Sequence, residues 1–124
     1  MVLSHISPAL VVEDDVVLAM QMKDHLTDLG CPETIIATRV EKAFVALTAG
    51  IQFAVIDVSI AGESCNELAE RLAMSRIPFI YVSGYQPGDF PELPAAPWVS
   101  KPASEEQLME AISTALTQPS SHLR

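Results

Sequence analysis

Five side chains in this sequence have the types that phosphoryl chemistry needs, and they lie far apart along it. They are Glu13 and Asp14 in LVVEDDVV, Asp57 in FAVIDV, Ser83 in YVSGY and Lys101 in WVSKP. Carboxylates brought together repel, and one left unpaired tends to protonate. A hard divalent cation such as Mg2+ removes that conflict, because it takes one or two carboxylates, keeps waters and shares a phosphate oxygen. A carboxylate beside it can attack phosphorus and form an acyl phosphate. A hydroxyl and an amine can then hold phosphoryl oxygens, since this transfer needs mainly positioning and charge stabilisation. Singly, each residue also has an ordinary role. Acids favour a helix start, Ser83 precedes Gly84 as a turn residue would, and a lysine before proline can be solvated.

Short apolar, β-branched runs alternate with helical patterns and place these residues. Ala9 to Glu13 reads as a buried strand, followed by a helix over 16–29 with Leu18, Met22, Leu26 and Leu29 at helical spacing. Gly30 is its stop. Thr34 to Ala37 is a second strand, and Thr38 with Glu41 has capping-box spacing before a helix that Gly50 closes. Phe53 to Val58 is a third strand, and Ser64 with Glu67 repeats the capping-box spacing. Ile77 to Val82 and Trp98 to Ser100 are the last two strands. Ser104 and Gln107 cap a final helix with Leu108, Ala111, Ile112 and Ala115 inward. Continuous apolar strands alternating with helices imply a parallel α/β sheet covered on both faces, a doubly wound fold. Pro87, Pro91, Pro94 and Pro97 forbid a regular fourth helix between the last two strands. In such a sheet, ligands bind at the carboxyl ends of the strands. Glu13, Asp14, Asp57, Ser83 and Lys101 all fall there.

The 124 residues fit one domain over 1–124, with a core over about 9–117 and a tail at 118–124 expected to fray. No run nears the ~18 apolar residues of a membrane span, and the start lacks a basic n-region. Cys31 and Cys65 form no metal or disulfide pattern. These features predict a cytoplasmic protein without a membrane partner. The formal net charge of −9 repels nucleic acid, so no nucleic-acid partner is expected.

From about Ala9 to Leu116 the chain resembles the receiver domain of two-component response regulators, the CheY-like family. The resemblance rests on Glu13-Asp14, Asp57, Ser83 and Lys101-Pro102. It implies a flavodoxin-like (βα)5 sheet of order 2-1-3-4-5, here with the fourth helix missing or reduced. It implies that Asp57 accepts phosphate from the phosphohistidine of a sensor histidine kinase or phosphotransfer protein. Mg2+ would be bound directly by Asp14 and Asp57, through water by Glu13, and by the backbone carbonyl of Ser59. Ser83 and Lys101 would bind the phosphoryl group, Trp98 would be the switch aromatic, and the peptide before Pro102 would be cis. Asp15 is left as a helix-start acid. The link DVSIAGES is shorter than in most receivers, and Trp98 is larger than the usual Tyr or Phe.

The stretch PFIYVSGY, with Tyr81 and Tyr85, is similar to the FAT GUY subgroup, mostly single-domain receivers associated with kinases of the HWE and HisKA_2 families. The resemblance therefore implies a phosphorylation switch with no appended output domain and no turnover beyond its own phosphorylation and dephosphorylation. Charge arriving at Asp57 would draw in Ser83 and Lys101 and order the segment 84–97. One rival reading is an aspartyl-nucleophile phosphatase, which usually has a second acid where Ser59 stands. Another is an unphosphorylated interaction module or a flavin carrier, whose phosphate-cradling loop is replaced here by EDDVV.

Overall fold

Four consecutive apolar residues, Ala9–Val12, form β1, an inner strand of the main sheet, and all four are buried. The computed structural model describes residues 4–117; the tail expected at 118–124 lies outside the described residues. The other strands of the main sheet are β2 (Thr34–Ala37), β3 (Phe53–Ile56), β6 (Phe79–Ser83) and β7 (Trp98–Ser100). All neighbours pair in parallel, in the order β2-β1-β3-β6-β7. With the small hairpin of β4 (Ser59–Ile60) and β5 (Glu63–Ser64) set aside, this is the expected 2-1-3-4-5 order.

Alternation along each strand divides the core. Ala9, Val11, Val55, Ile80, Val82 and Val99 pack on one face, against Ala19 and Leu26 of α1 (Val16–Asp28) and Leu108, Ile112 and Ala115 of α4 (Glu105–Thr117). Leu10, Val12, Ala54, Ile56, Phe79 and Tyr81 pack on the other, against α2 (Val40–Ala46) and α3 (Asn66–Met74). Burying a Leu, Ile or Phe side chain contributes about 1.5–3 kcal/mol, so each face is a substantial core. On α1, Leu26 is buried, whereas Leu18, Met22 and Leu29 are only half-buried.

Helix starts match the sequence in two places and differ in two. Asp15 caps α1, accepting from the N–H of Val17 at 2.9 Å and of Leu18 at 3.2 Å. Ser104 and Gln107 form a reciprocal capping box, with bonds of 3.0 and 3.1 Å. Thr38 does not cap α2; the N-cap is Arg39, with no side-chain cap bond. Ser64 does not cap α3 either. It lies in β5, its Oγ accepts the Asn66 N–H at 3.1 Å, and Cys65 takes the N-cap place. Gly50, at φ 77°, closes the short 3-10 turn Leu47–Ala49 that follows α2.

The link after Asp57 is a hairpin rather than a plain loop. Strand β4 (Ser59–Ile60) pairs antiparallel with β5 (Glu63–Ser64) around Ala61 and Gly62, at φ 53° and 83°. Two positive φ values at the centre of a two-residue connection fit a type I′ turn.

Between β6 and β7 there is no α-helix, only the single 3-10 turn Pro87–Asp89. The segment 84–97 is nevertheless anchored. Phe90, Leu93 and Ala96 pack on the α2 and α3 side of the sheet, and the buried Tyr81 hydroxyl donates to the Pro94 carbonyl at 2.7 Å. Apolar contacts and a hydrogen bond thus tie this segment to the sheet.

Candidate functional site

The parallel register puts the strand ends level. Val12 pairs with Ile56, the Asp57 N–H continues the ladder to the Val12 carbonyl at 3.0 Å, and the Lys101 N–H bonds the Ser83 carbonyl at 2.9 Å. Glu13, Asp57 and Lys101 thus converge on one rim. Lys101 Nζ donates to Glu13 Oε1 and, at 2.8 Å, to Asp57 Oδ2. The Lys101-Pro102 peptide is cis.

Among the described residues, Tyr and Cys aside, the buried polar and charged side chains are Glu13, Asp57 and Ser83. Burying such groups is costly unless they are paired, and all three have partners here. Glu13 has donors on both oxygens, Lys101 on Oε1 and the Asp15 N–H on Oε2 at 3.1 Å. Asp14 is exposed, and its Oδ2 accepts the Ala61 N–H at 2.8 Å. Asp14 Oδ1 and Asp57 Oδ1 accept no hydrogen bond from the described residues.

The electrostatics follow from these contacts. Burial pushes the Glu13 carboxyl up, and Lys101 acts against that. The Ala61 N–H holds the Asp14 carboxyl below its ordinary value. For Lys101 burial works downward, yet the hydrogen bonds to Asp57 and Glu13 outweigh it and hold the ammonium charged. Behind the cluster, burial pushes the Cys65 thiol up to about 12, with the Asp57 charge adding to it. That leaves it a poor nucleophile.

The acids suit a divalent cation. One carboxylate oxygen each from Glu13, Asp14 and Asp57 lie within 4.8 Å of one another. Ligands of one Mg2+ sit about 2.0–2.1 Å from it, so oxygens on opposite sides are roughly 4.2 Å apart. The cluster is near that size. With both Glu13 oxygens already engaged, Asp14 and Asp57 are the better direct ligands, and Glu13 suits contact through water. Ser59, half-buried in β4, follows two residues after Asp57.

Ser83 lies at the end of β6 with no solvent exposure. Its Oγ accepts the Tyr85 N–H at 3.0 Å, which leaves the hydroxyl proton free to donate. The Tyr85 carbonyl accepts from Trp98 Nε1 at 3.1 Å. Trp98 packs 5.2 Å from the Tyr81 ring and 6.3 Å from Phe90, and Tyr85 stands edge-on to Phe90 at 5.4 Å. Ser83, Tyr85 and Trp98 are thus joined through the backbone of residue 85. Two further contacts have no sequence signal: the Ala61 N–H on Asp14, and His25 Nδ1, 3.2 Å from Glu105 Oε1, which ties α1 to α4.

A cavity of about 260 Å3 opens beside the cluster, between α1, the sheet and the Lys101–Ala103 turn. Val11, Val55, Val82, Leu18 and Met22 line it, together with Glu13, Asp57 and Lys101.

No family model matches the chain, and no curated protein does. Solved structures do. SdrG from Sphingomonas melonis Fr1 is 28% identical, with 87% of this chain and 94% of that one covered at a TM-score of 0.73. The PhyR response regulator REC domain of Erythrobacter litoralis is 26% identical, with 89% of each chain covered at a TM-score of 0.75. A response regulator receiver protein from Sinorhizobium medicae WSM419 is 23% identical, with 90% of this chain and 94% of that one covered at a TM-score of 0.78. No helix among the described residues is long and apolar enough to cross a membrane. Receiver domains of response regulators are thus among the structural neighbours, and the chain has their flavodoxin-like α/β fold.

Proposed function

We propose that the chain is a phosphoacceptor of a two-component relay. Asp57 takes the phosphoryl group of a phosphohistidine, and the resulting change of charge and geometry alters partner binding. The observation that carries this reading is the Lys101 ammonium held between the buried carboxylates of Asp57 and Glu13, with Asp14 within ligand distance of both.

In the transfer, an oxygen of Asp57 forms a bond to phosphorus as the P–N bond of the phosphohistidine breaks. The imidazole leaves with the electron pair and takes up a proton. Asp14, Asp57, the Ser59 carbonyl and, through water, Glu13 would hold Mg2+, whose positive charge would offset that of the phosphoryl oxygens. Lys101 meets one of those oxygens, having only to shift its hydrogen bond from a carboxylate to the new group. Ser83 donates its hydroxyl proton to another. Because Ser83 is bonded to the Tyr85 N–H and Trp98 to the Tyr85 carbonyl, movement of Ser83 pulls on the indole and on the anchored segment 84–97. The switch is a repacking of an aromatic cluster rather than the ordering of a loose loop.

The donor is a sensor histidine kinase or a phosphotransfer protein. Val16, Val17 and Met20, on the first turns of α1 beside the acids, are 60%, 66% and 47% exposed and offer an apolar face to its helices. The PFIYVSGY stretch supports the FAT GUY subgroup and a kinase of the HWE or HisKA_2 kind.

Incubation with acetyl phosphate and Mg2+, followed by intact mass, tests the reading. One phosphoryl group should add to the wild type and none to Asp57→Ala. Emission from Trp98, the single tryptophan, should change in step. A wild type that stays unmodified both with acetyl phosphate and with a phosphorylated kinase would end the proposal.

A further inference from the structure

We propose that the β4–β5 hairpin is a positioning device for Asp14, and that the backbone N–H of Ala61 sets the affinity of the site for a divalent cation. The inference rests on the reading of Glu13, Asp14 and Asp57 as a Mg2+ site.

Asp14 is the weak member of the cluster. Glu13 and Asp57 are buried and share Lys101, whereas Asp14 is exposed and follows β1 on the open rim. One oxygen each of Glu13, Asp14 and Asp57 lie within 4.8 Å of one another. The contact that holds the Asp14 carboxylate is the Ala61 N–H, 2.8 Å from Oδ2 and 47 residues along the chain. It fixes one oxygen, and Oδ1 accepts no hydrogen bond from the described residues.

The donor is itself held in place. Ile60 is fully buried, Ser59 pairs with Ser64 and Ile60 with Glu63, and the Cys65 N–H bonds the Val58 carbonyl at 3.1 Å. Ala61 therefore sits at the tip of an anchored turn. It has a φ of 53°, a conformation that an L-residue with a Cβ adopts at a cost. Glycine would relieve that cost and keep the N–H. Hydrogen-bonded partners of metal ligands commonly set affinity by about 10–100-fold.

The test is titration with Mg2+ alone, by calorimetry and Trp98 emission, with no phosphoryl donor present. Ala61→Gly keeps the donor and should bind within about twofold of wild type. An ester in place of the residue 61 amide removes the donor and leaves the side chain, and should weaken binding by roughly tenfold or more. Ala61→Pro, whose ring fixes φ near −65°, should do the same, with circular dichroism reporting whether the fold survives. Equal Mg2+ affinity in the ester variant and the wild type would overturn the inference and leave the site standing. A wild type that binds Mg2+ no better than Asp14→Asn would remove the underlying metal reading, and the inference with it.

Discussion

Lys101 is the residue on which the site's charge balance turns. Replacing it by Met leaves Glu13 and Asp57 close together, both buried and neither with an ammonium partner. Removing one partner of a buried pair typically costs about 3 kcal/mol or more. This lysine keeps some contact with water, so Lys101→Met should cost about 1–3 kcal/mol in urea unfolding without Mg2+. Mg2+ should recover part of it, since the cation answers the same two carboxylates. The pH dependence has a definite sign. The Lys101 pKa is raised in the folded state above its ordinary 10.5. Its contribution is therefore complete below that value and fades as pH rises through the folded one. Wild-type stability should fall above about pH 10.5 more steeply than that of Lys101→Met. That the acids and the lysine meet was legible because, although none is specific singly, their ordered set at strand ends is hard to obtain by accident. Ala61 was not, because every residue but proline carries a backbone N–H, and alanine gives no sign of a positive φ.

At the scale of elements, capping separates spacing from geometry. Ser104 with Gln107 and Thr38 with Glu41 look alike in the sequence, yet only the first pair closes a box. Ser104→Ala should lower stability by about 1 kcal/mol, whereas Thr38→Ala should stay within about 0.5 kcal/mol of wild type. Equal losses in urea melts of the two variants would contradict this assignment. The five strands were readable from apolar runs, and four prolines ruled out a helix between the last two. Short pieces were not readable. The six residues of the hairpin 59–64 carry one glycine and no Asn-Gly or Asp-Gly signal. The anchoring of 84–97 depends on aromatic rings that meet only in three dimensions. Tyr81 and Trp98 are neighbours because β6 and β7 pair at that level, which the spacing of either strand cannot reveal.

The whole molecule is two apolar layers on one parallel sheet, and the layers are unequal. The α2 and α3 layer also takes in Phe90, Leu93, Ala96 and Trp98. The α1 and α4 layer instead carries the open cavity of about 260 Å3, which Leu18 and Met22 line. That hollow is open to solvent, and Lys101 and Asp57 are part of its wall. A small apolar molecule entering it should shift the methyl resonances of Val11, Val55 and Val82 and leave those of Leu68 and Leu72, across the sheet, in place. Such an occupant would lie against the ion pair itself, so filling the hollow would become a handle on this chain's chemistry, one that needs no substitution.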